Sequence, residues 1–450
     1  MLSNRGLTVL YVTPFFVPII GGVESVVYES SLGLLKLGHK PVVLTSRVTG
    51  RPDRENIGGI EVVRTSLLDV PENGTLDPEC FSSTVVSDFL RRIIDETKVD
   101  IIHLHNYQMK QYAMFLHSFF AAIRGSRTPV IITIHNTTDD PFCHYLLSYL
   151  PFSKIIALTS KSAFDLINGG VPTGRIGVHP NMLDTEKFSE ANGAMVRRML
   201  GIDMEPVILF PSRLVGREAK QFRFEDGKGL EVLLRALPLI KREIPDAKLL
   251  LMGNDSVYSD RVRQVRERLM KTAATLGAPD SVFFIDGDIP QEQLPSVFAA
   301  SDIVVSLGPT ECFGMIFLEG MAAGKPVVGV NSVDNGVAEV IHDGRSGFLV
   351  PPNDPWNTAK TIIRVLSEKR LAEKVGHEAK RWVRRTYGID VVLPRLIKLY
   401  NQCLQETGYT PMEQVHHHEP LPKVAIGSTL DIDKMPRPQA AGLINYLSQE

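Results

Sequence analysis

Short, continuously apolar runs rich in β-branched residues alternate along this chain with longer stretches that are apolar at helical spacing. In the first half the short runs are LTVLYVT, PVVLTS, IEVVRTS, DIIHLHN, PVIITIHN and IIALTS. After residue 200 a second set follows: PVILFPSRL, AKLLLMGN, VFFIDGD, DIVVSLGP and PVVGVNS. Such alternation is the signature of parallel α/β sheets, with strands buried between crossover helices. Between the first two runs, ESVVYESSLGLLKLGH is apolar at helical spacing and closes on Gly38, which predicts a helix with a glycine stop. A polar, turn-rich segment, HPNMLDTEKFSEANG, separates the two sets and reads as a linker. The pattern predicts two doubly wound, Rossmann-like α/β domains facing across a cleft, over residues 1–195 and 196–390. A helix over 391–410 is expected to cross back to the first domain. The proline-rich, polar segment 411–450 is expected to be disordered or to strap the surface. In sheets of this kind ligands bind beyond the carboxyl ends of strands, so the residues there are the candidates for chemistry.

Composition narrows the class. A chain of 450 residues exceeds one ordinary domain, and 44% apolar residues suffice for two cores. A formal net charge of −2 leaves no nucleic-acid footprint. The four cysteines, Cys80, Cys143, Cys312 and Cys403, are scattered without a CxxC or metal-ligand spacing, which fits a reducing compartment. The apolar N-terminal stretch LTVLYVTPFFVPIIGG is interrupted by Pro14 and Pro18 and reads as a buried first strand rather than a signal peptide. With no run near the ~20 apolar residues of a membrane span, the protein is expected in the cytoplasm, with any membrane contact peripheral. Arg261, Arg263, Arg266, Arg268 and Lys271 read as a solvated helix face. FCHYLLSYLPF reads as core packing before an acceptor pocket or a lipid contact. The adjacent His416, His417 and His418 cannot easily converge on one ion.

The richest stretch is GPTECFGMIFLEGMAAGKPVVGV, where Glu311 lies in a Gly/Pro loop and Glu319 eight positions later. Counted at ~100° per residue, the helix brings the second carboxylate within ~80° of the first, so both can border one ligand. The unpaired N–H groups of Cys312, Phe313, Gly314 and Met315 would favour an anion there. Other strand ends add polar groups. Gly21 and Gly22, between the first strand and first helix, let backbone approach a ligand, although this is not a GxGxxG dinucleotide signature. His135 ends the fifth run and would face the cleft, whereas His103 and His105 read equally as core or rim. Arg213 and Lys228 pair a bidentate fork with a point charge, a set suited to a diphosphate. Gly287 and Ile289, in the loop after VFFI, are placed to cup a planar base.

Four motifs in order carry a resemblance over roughly residues 7–405. GGVES resembles a GG-x-E loop, HPNMLDTEKF a PNGVDxxxF linker, ECFGMIFLE an E-x7-E motif, and HDGRSGFLVPPND a D-G-x-x-G-x-L-V-x-x-x-D segment. Together they resemble the retaining glycosyltransferases of family four, whose fold is the GT-B type. The resemblance implies transfer from a nucleotide-diphosphate sugar, as co-substrate, to an acceptor hydroxyl or other nucleophile, with retention and with neither metal nor other cofactor. It implies that Glu311 contacts the donor sugar, that Phe313, Gly314, Met315 and Ile316 hold sugar and phosphate, and that Glu319 binds the ribose. It further implies Arg213 and Lys228 on the diphosphate, Gly21 and Gly22 closing from the opposite domain, and His135 on the donor sugar. The acceptor stays open among lipid, glycan and small natural product. Two departures stand out: VGREAKQFRFEDG intervenes between Arg213 and Lys228, so Arg217, Lys220 or Arg223 could replace Lys228, and the linker reads PNMLD. Alternatives are a GT-B-like sugar-nucleotide epimerase or phosphorylase, or a metal-dependent transferase using Asp286 and Asp288.

Overall fold

A computed structural model describes residues 6–19, 21–68, 83–136, 140–212, 228–252, 259–285, 290 and 292–408. Arg213, Gly287, Ile289, the 214–227 insertion and the 411–450 segment lie outside the described residues. The first half forms a sheet from β1 (Thr8–Val12), β2 (Lys40–Ser46), β3 (Arg54–Ile57), β4 (Ile60–Thr65), β5 (Ile101–His105), β6 (Val130–Ile134), β7 (Lys154–Ala157) and β8 (Ile176–Val178). Their order is β3-β4-β2-β1-β5-β6-β7-β8. The second sheet holds β9 (Val207–Phe210), β10 (Lys248–Met252), β11 (Val282–Ile285), β12 (Ile303–Val305), β13 (Val327–Val330) and β14 (Phe348–Val350), in the order β11-β10-β9-β12-β13-β14. Every pairing is parallel except the β3–β4 hairpin. Two Rossmann-like sheets of this kind make the GT-B fold.

All eleven apolar runs become strands. Among the described residues three further strands, β3, β8 and β14, all lie at sheet edges. Arg54-Glu55-Asn56-Ile57 is polar because its outer side faces solvent, and the other two are only three residues long. Short or polar edges carry little apolar periodicity.

Strand order reverses between β1 and β5 in the first sheet and between β9 and β12 in the second, and crevices open at such reversals. β1 leads toward Gly21 and Gly22, β9 toward Lys228 and β12 toward Glu311. The sequence therefore delivers its candidate residues to the two switch points.

One face of the first sheet packs through Leu10, Val12, Leu44, Ile102 and Leu104 beneath its own helices. On its other face, Val9, Tyr11 and Ile101 meet Val392, Leu393, Leu396 and Tyr400 of helix Ile389–Glu406. That helix follows the second sheet in sequence yet completes the core of the first. The chain thus crosses twice between the sheets, and the crossings are stitched together. Leu183 N–H donates to Tyr387 O (3.0 Å), and Ile389 N–H donates to Leu183 O (2.9 Å). The linker is structured: Thr185–Ser189 is a helix, and Phe188 is buried in the second sheet's core.

A further clasp joins the halves at helix Ser160–Asn168, whose N-cap is Thr159. The Ser160 and Lys161 N–H groups donate to the two carboxylate oxygens of Glu339 (2.9 and 2.8 Å), from the short helix Val337–Val340 beyond β13. A carboxylate at a helix start satisfies orphan amides and complements the helix dipole. Among the described residues no helix is long and apolar enough to cross a membrane.

Candidate active site

The site grows from the loop after β12. Glu311 is held by its backbone, whose carbonyl accepts from Gly336 N–H (2.8 Å). Cys312 and Phe313 bury their side chains, the former 3.0 Å from Ser162 Oγ and the latter edge-on to Tyr387. Gly314 then turns left-handed at φ +83°, where a Cβ would stand 2.5 Å from Phe317 Cδ2. Only glycine fits that turn.

Helix Met315–Ala322 therefore starts at Met315, not at Cys312. This corrects the register expected from sequence. Cys312 to Gly314 are loop, so the 100° count between the carboxylates does not hold, and Glu319 lies one turn inside the helix. The carboxylates still share one cavity because the left-handed turn, not helical periodicity, returns the chain toward Glu311.

Lys228 sits directly before Gly229, which has φ +76° and packs against Leu307 O. Leu307 N–H donates to Lys228 O (3.0 Å), tying the lysine to the end of β12. Its ammonium donates to Glu311 Oε2, so the cation and the first carboxylate form one ion pair beside the start of helix Met315–Ala322. In the first turn of that helix Phe317 N–H donates back to Gly314 O (3.0 Å), and an α-helix start carries amides without intrahelical partners.

Across the cleft, helix Gly22–Lys36 begins at the second glycine. A Cβ on Gly22 would lie 3.6 Å from Met315 Cγ, so two helix starts confront each other here. The buried Glu24 folds its carboxylate against Gly21, within 2.3 Å of where a Cβ would be. His135 follows β6. Its backbone N–H donates to Asn106 Oδ1 (2.9 Å), and its ring Nε2 lies 2.8 Å from His105 Nδ1. Burial pushes its pKa down to about 3, so the ring is neutral at physiological pH.

Gly21, Gly22, His135, Lys228, Glu311, Phe313, Gly314, Met315, Ile316 and Glu319 all line one cavity of about 210 Å³. Each described candidate is brought to it. Ser25, Asn136, Asn181, Ser212 and Ser306 share its wall. Of these Asn136, Ser212 and Ser306 follow strands β6, β9 and β12, a position that could have singled them out. A second chamber of about 400 Å³ adjoins the first, sharing Ser25, Leu294, Met315 and Glu319, and reaches Tyr28, Glu29 and Lys187. Lys187 Nζ donates to Glu29 Oε1 (2.8 Å), bridging the linker helix and helix Gly22–Lys36. Burial, reinforced by nearby Glu29, raises the Glu319 carboxyl to about 8. The arrangement offers a cation and a helix start for an anion, a partly exposed carboxylate beside them, and a buried carboxyl between the chambers.

Two family descriptions match the chain. Residues 20–187 match "Glycosyltransferase Family 4", and residues 221–382 match "Glycosyl transferases group 1". An uncharacterized glycosyltransferase of Methanocaldococcus jannaschii is 28% identical over 87% of this chain and 96% of its own length. A phosphatidylinositol N-acetylglucosaminyltransferase component from Arabidopsis thaliana is 26% identical over 90% and 86%. Among solved structures, sucrose-phosphate synthase of Thermosynechococcus elongatus superposes with TM-score 0.71 at 20% identity, over 89% of this chain and all of that one. The Anabaena HepE complex with UDP and glucose superposes with TM-score 0.68 at 18% identity, over 88% and 100%. With both halves matched, and with two parallel sheets enclosing a cleft at their switch points, the chain belongs to glycosyltransferase family 4 and is a GT-B enzyme that transfers a sugar from a donor to an acceptor.

Proposed function

We propose that the donor is a nucleotide-diphosphate sugar, that transfer retains anomeric configuration, and that it proceeds without a metal ion. The observation that carries this reading is the Lys228–Glu311 ion pair at the start of helix Met315–Ala322. As the glycosidic bond breaks, negative charge grows on the leaving phosphate. A fixed ammonium and a helix N-terminus stabilise that charge where other transferases use a divalent cation. Donor binding draws Lys228 onto the diphosphate and leaves the Glu311 carboxylate to accept hydroxyls of the sugar. His135 reaches the sugar from the first domain, and Gly22 lets the opposing helix start close on the phosphates. Glu319 stands in the wall shared by the two chambers, where a ribose joining diphosphate to base would lie. Arg213 joins Lys228 in this reading, with Gly287 and Ile289 against the base.

A retaining glycosidase needs two carboxylates about 5–5.5 Å apart across the scissile bond, one of them a nucleophile. Here one carboxylate is engaged by lysine and the other is a buried helix residue with a raised pKa. That favours front-face attack by the acceptor, the leaving phosphate taking its proton. The acceptor is read as a hydroxyl compound: a lipid, a glycan or a small natural product. HepE is described with UDP and glucose, and one relative is named for phosphatidylinositol, which supports a nucleotide-sugar donor and an alcohol acceptor. Cytoplasmic residence with peripheral membrane contact belongs to the same proposal. Phe142, Tyr145 and Tyr149 are exposed along one side of helix Pro141–Tyr149, while Cys143, Leu146 and Leu147 face the core.

The test is a thermal-shift panel of nucleoside diphosphates and their sugars, followed by nucleotide release with and without EDTA. At 100 times Kd a ligand adds about 2.7 kcal/mol of stability, enough to rank donors. Stabilisation by one nucleotide series, EDTA-insensitive release and an α-linked product from an α-linked donor are expected. Loss of turnover on chelation would instead support a metal-dependent transferase using Asp286 and Asp288.

A further inference from the structure

Behind His135 the first sheet buries a stack of imidazoles. His105, on β5, places Nδ1 at 2.8 Å from His135 Nε2, with ring centroids 5.1 Å apart. His103, two residues earlier on the same strand, lies with its centroid 4.4 Å from that of His105. His103 is fixed at both nitrogens: Nδ1 is 2.7 Å from Tyr400 Oη and Nε2 is 2.7 Å from Thr133 Oγ1. The crossing helix Ile389–Glu406 thus braces the back of the stack, and His135 forms its front in the cleft.

We infer that His105 is a positioning residue that sets the tautomer of His135, so that His135 presents Nδ1–H, a hydrogen-bond donor, to the sugar in the cleft. This rests on the reading of His135 as a donor-sugar contact. Both rings are deeply buried and neutral, so each carries one proton, and the 2.8 Å contact needs that proton on one of the two facing nitrogens. His105 Nε2 is buried without a hydrogen-bond partner among the described residues. If His135 were the donor in this contact, His105 would carry its proton on that buried Nε2, an orphan N–H. Orphan buried N–H groups are rarer and costlier than unfilled acceptors. The proton therefore sits on His105 Nδ1 and is donated to His135 Nε2. His135 must then hold its own proton on Nδ1, the nitrogen left for the cavity. The consequence for the reaction is directional: His135 donates to a sugar oxygen and does not act as a base.

The experiment uses the full chain labelled with 15N-histidine. Two-bond 15N–1H correlation spectra read the tautomer of His135, whose signals are assigned by their loss in His135→Gln. The native protein is expected to show His135 as the Nδ1–H form and His105→Leu to show a mixture. Kinetics are read as nucleotide release from whichever of UDP-glucose, GDP-mannose or ADP-glucose the panel selects. His105→Leu is expected to lower kcat about tenfold to a hundredfold with KM little changed, the size of one mismatched buried hydrogen bond. His105→Asn, whose amide nitrogen can occupy the place of Nδ1, is expected to recover most of the loss, and His105→Gln is not. A native Nε2–H tautomer at His135 overturns the inference, as does a folded His105→Leu with unchanged kcat. If no donor in the panel turns over, the reading of the site fails instead, while the spectrum still decides the tautomer.

Discussion

At the scale of single residues, Glu311 and Glu319 are chemically unlike although the sequence presents them as a pair. Glu311 is partly exposed and ion-paired with Lys228, whereas Glu319 is buried one turn inside helix Met315–Ala322, where burial raises its carboxyl to about 8. Glu311→Ala removes the sugar acceptor and the carboxylate partner of the lysine. It is expected to lower kcat by roughly 10²–10³-fold with little change in nucleotide affinity, the magnitude typical of a lost transition-state contact. Glu319→Ala is expected to weaken nucleoside diphosphate binding itself, read by calorimetry, with a smaller effect on saturated turnover. Equal loss of both quantities in both variants would refute this division. The residue types and their order were legible in the sequence. The ion pair was not, because Lys228 and Glu311 stand 83 positions apart, and nothing local signals that β9 and β12 are neighbours.

At the scale of elements, the start of helix Met315–Ala322 depends on one glycine in a left-handed turn. Gly314→Ala combines positive φ with a 2.5 Å approach to the Phe317 ring. About 1–3 kcal/mol of destabilisation is expected by denaturant titration, together with weaker diphosphate binding as the helix start shifts. A melting curve and a Kd both matching the native protein would show that the turn tolerates a side chain. The segment between Gly22 and Lys36 was readable because apolar residues recur in it at helical spacing and Gly38 closes it, although the helix also buries Glu24 and Glu29. The register of the carboxylate helix was not readable, since apolar Cys312 and Phe313 mimic a first turn while in fact plugging the loop. β3, β8 and β14 escaped for the opposite reason, being too short or too polar to show a period.

At the scale of the whole molecule, the two sheets are joined by the stitched crossings at Leu183 and Gly388 and by the Glu339 clasp on helix Ser160–Asn168. Glu339→Gln weakens a bidentate contact to two helix-start amides. It is expected to shift the nucleotide-free chain toward a more open form, seen as a larger radius of gyration in small-angle scattering. An unchanged scattering profile would deny the clasp that role. Stability should also be squeezed from both pH directions. Burial holds His103 and His105 well below their ordinary value of 6.5, and takes His135 to about 3 and His179 to about 4. Their contribution is full above pH 6.5, where the unfolded rings are neutral too, and is lost as pH falls toward 3–4. Glu319 acts oppositely. Its folded value of about 8 exceeds the unfolded 4.5, so its contribution is full below 4.5 and lost as pH rises to 8. The four histidines outweigh the one carboxyl below pH 6.5, so the melting temperature of the nucleotide-free protein is expected to peak near pH 7. Glu319→Gln, which is never charged, should lift the alkaline limb alone, and an identical decline in the variant would assign that limb to other groups.

By itself the sequence determined the class of architecture and the inventory of the site. Alternating apolar runs fix parallel sheets because only buried strands and amphipathic crossovers carry that pattern. Glycines, carboxylates, a lysine and a histidine at strand ends announce ligand chemistry because strand ends are where backbone is free to meet a ligand. Only the tertiary structure decided how these groups divide the work. Lys228 meets Glu311, Gly22 meets Met315, and His105 meets His135 through strand order and domain packing, which bring together residues distant in the chain. Burial then set the charge on Glu319 and on the histidines, and burial depends on neighbours that no local pattern names.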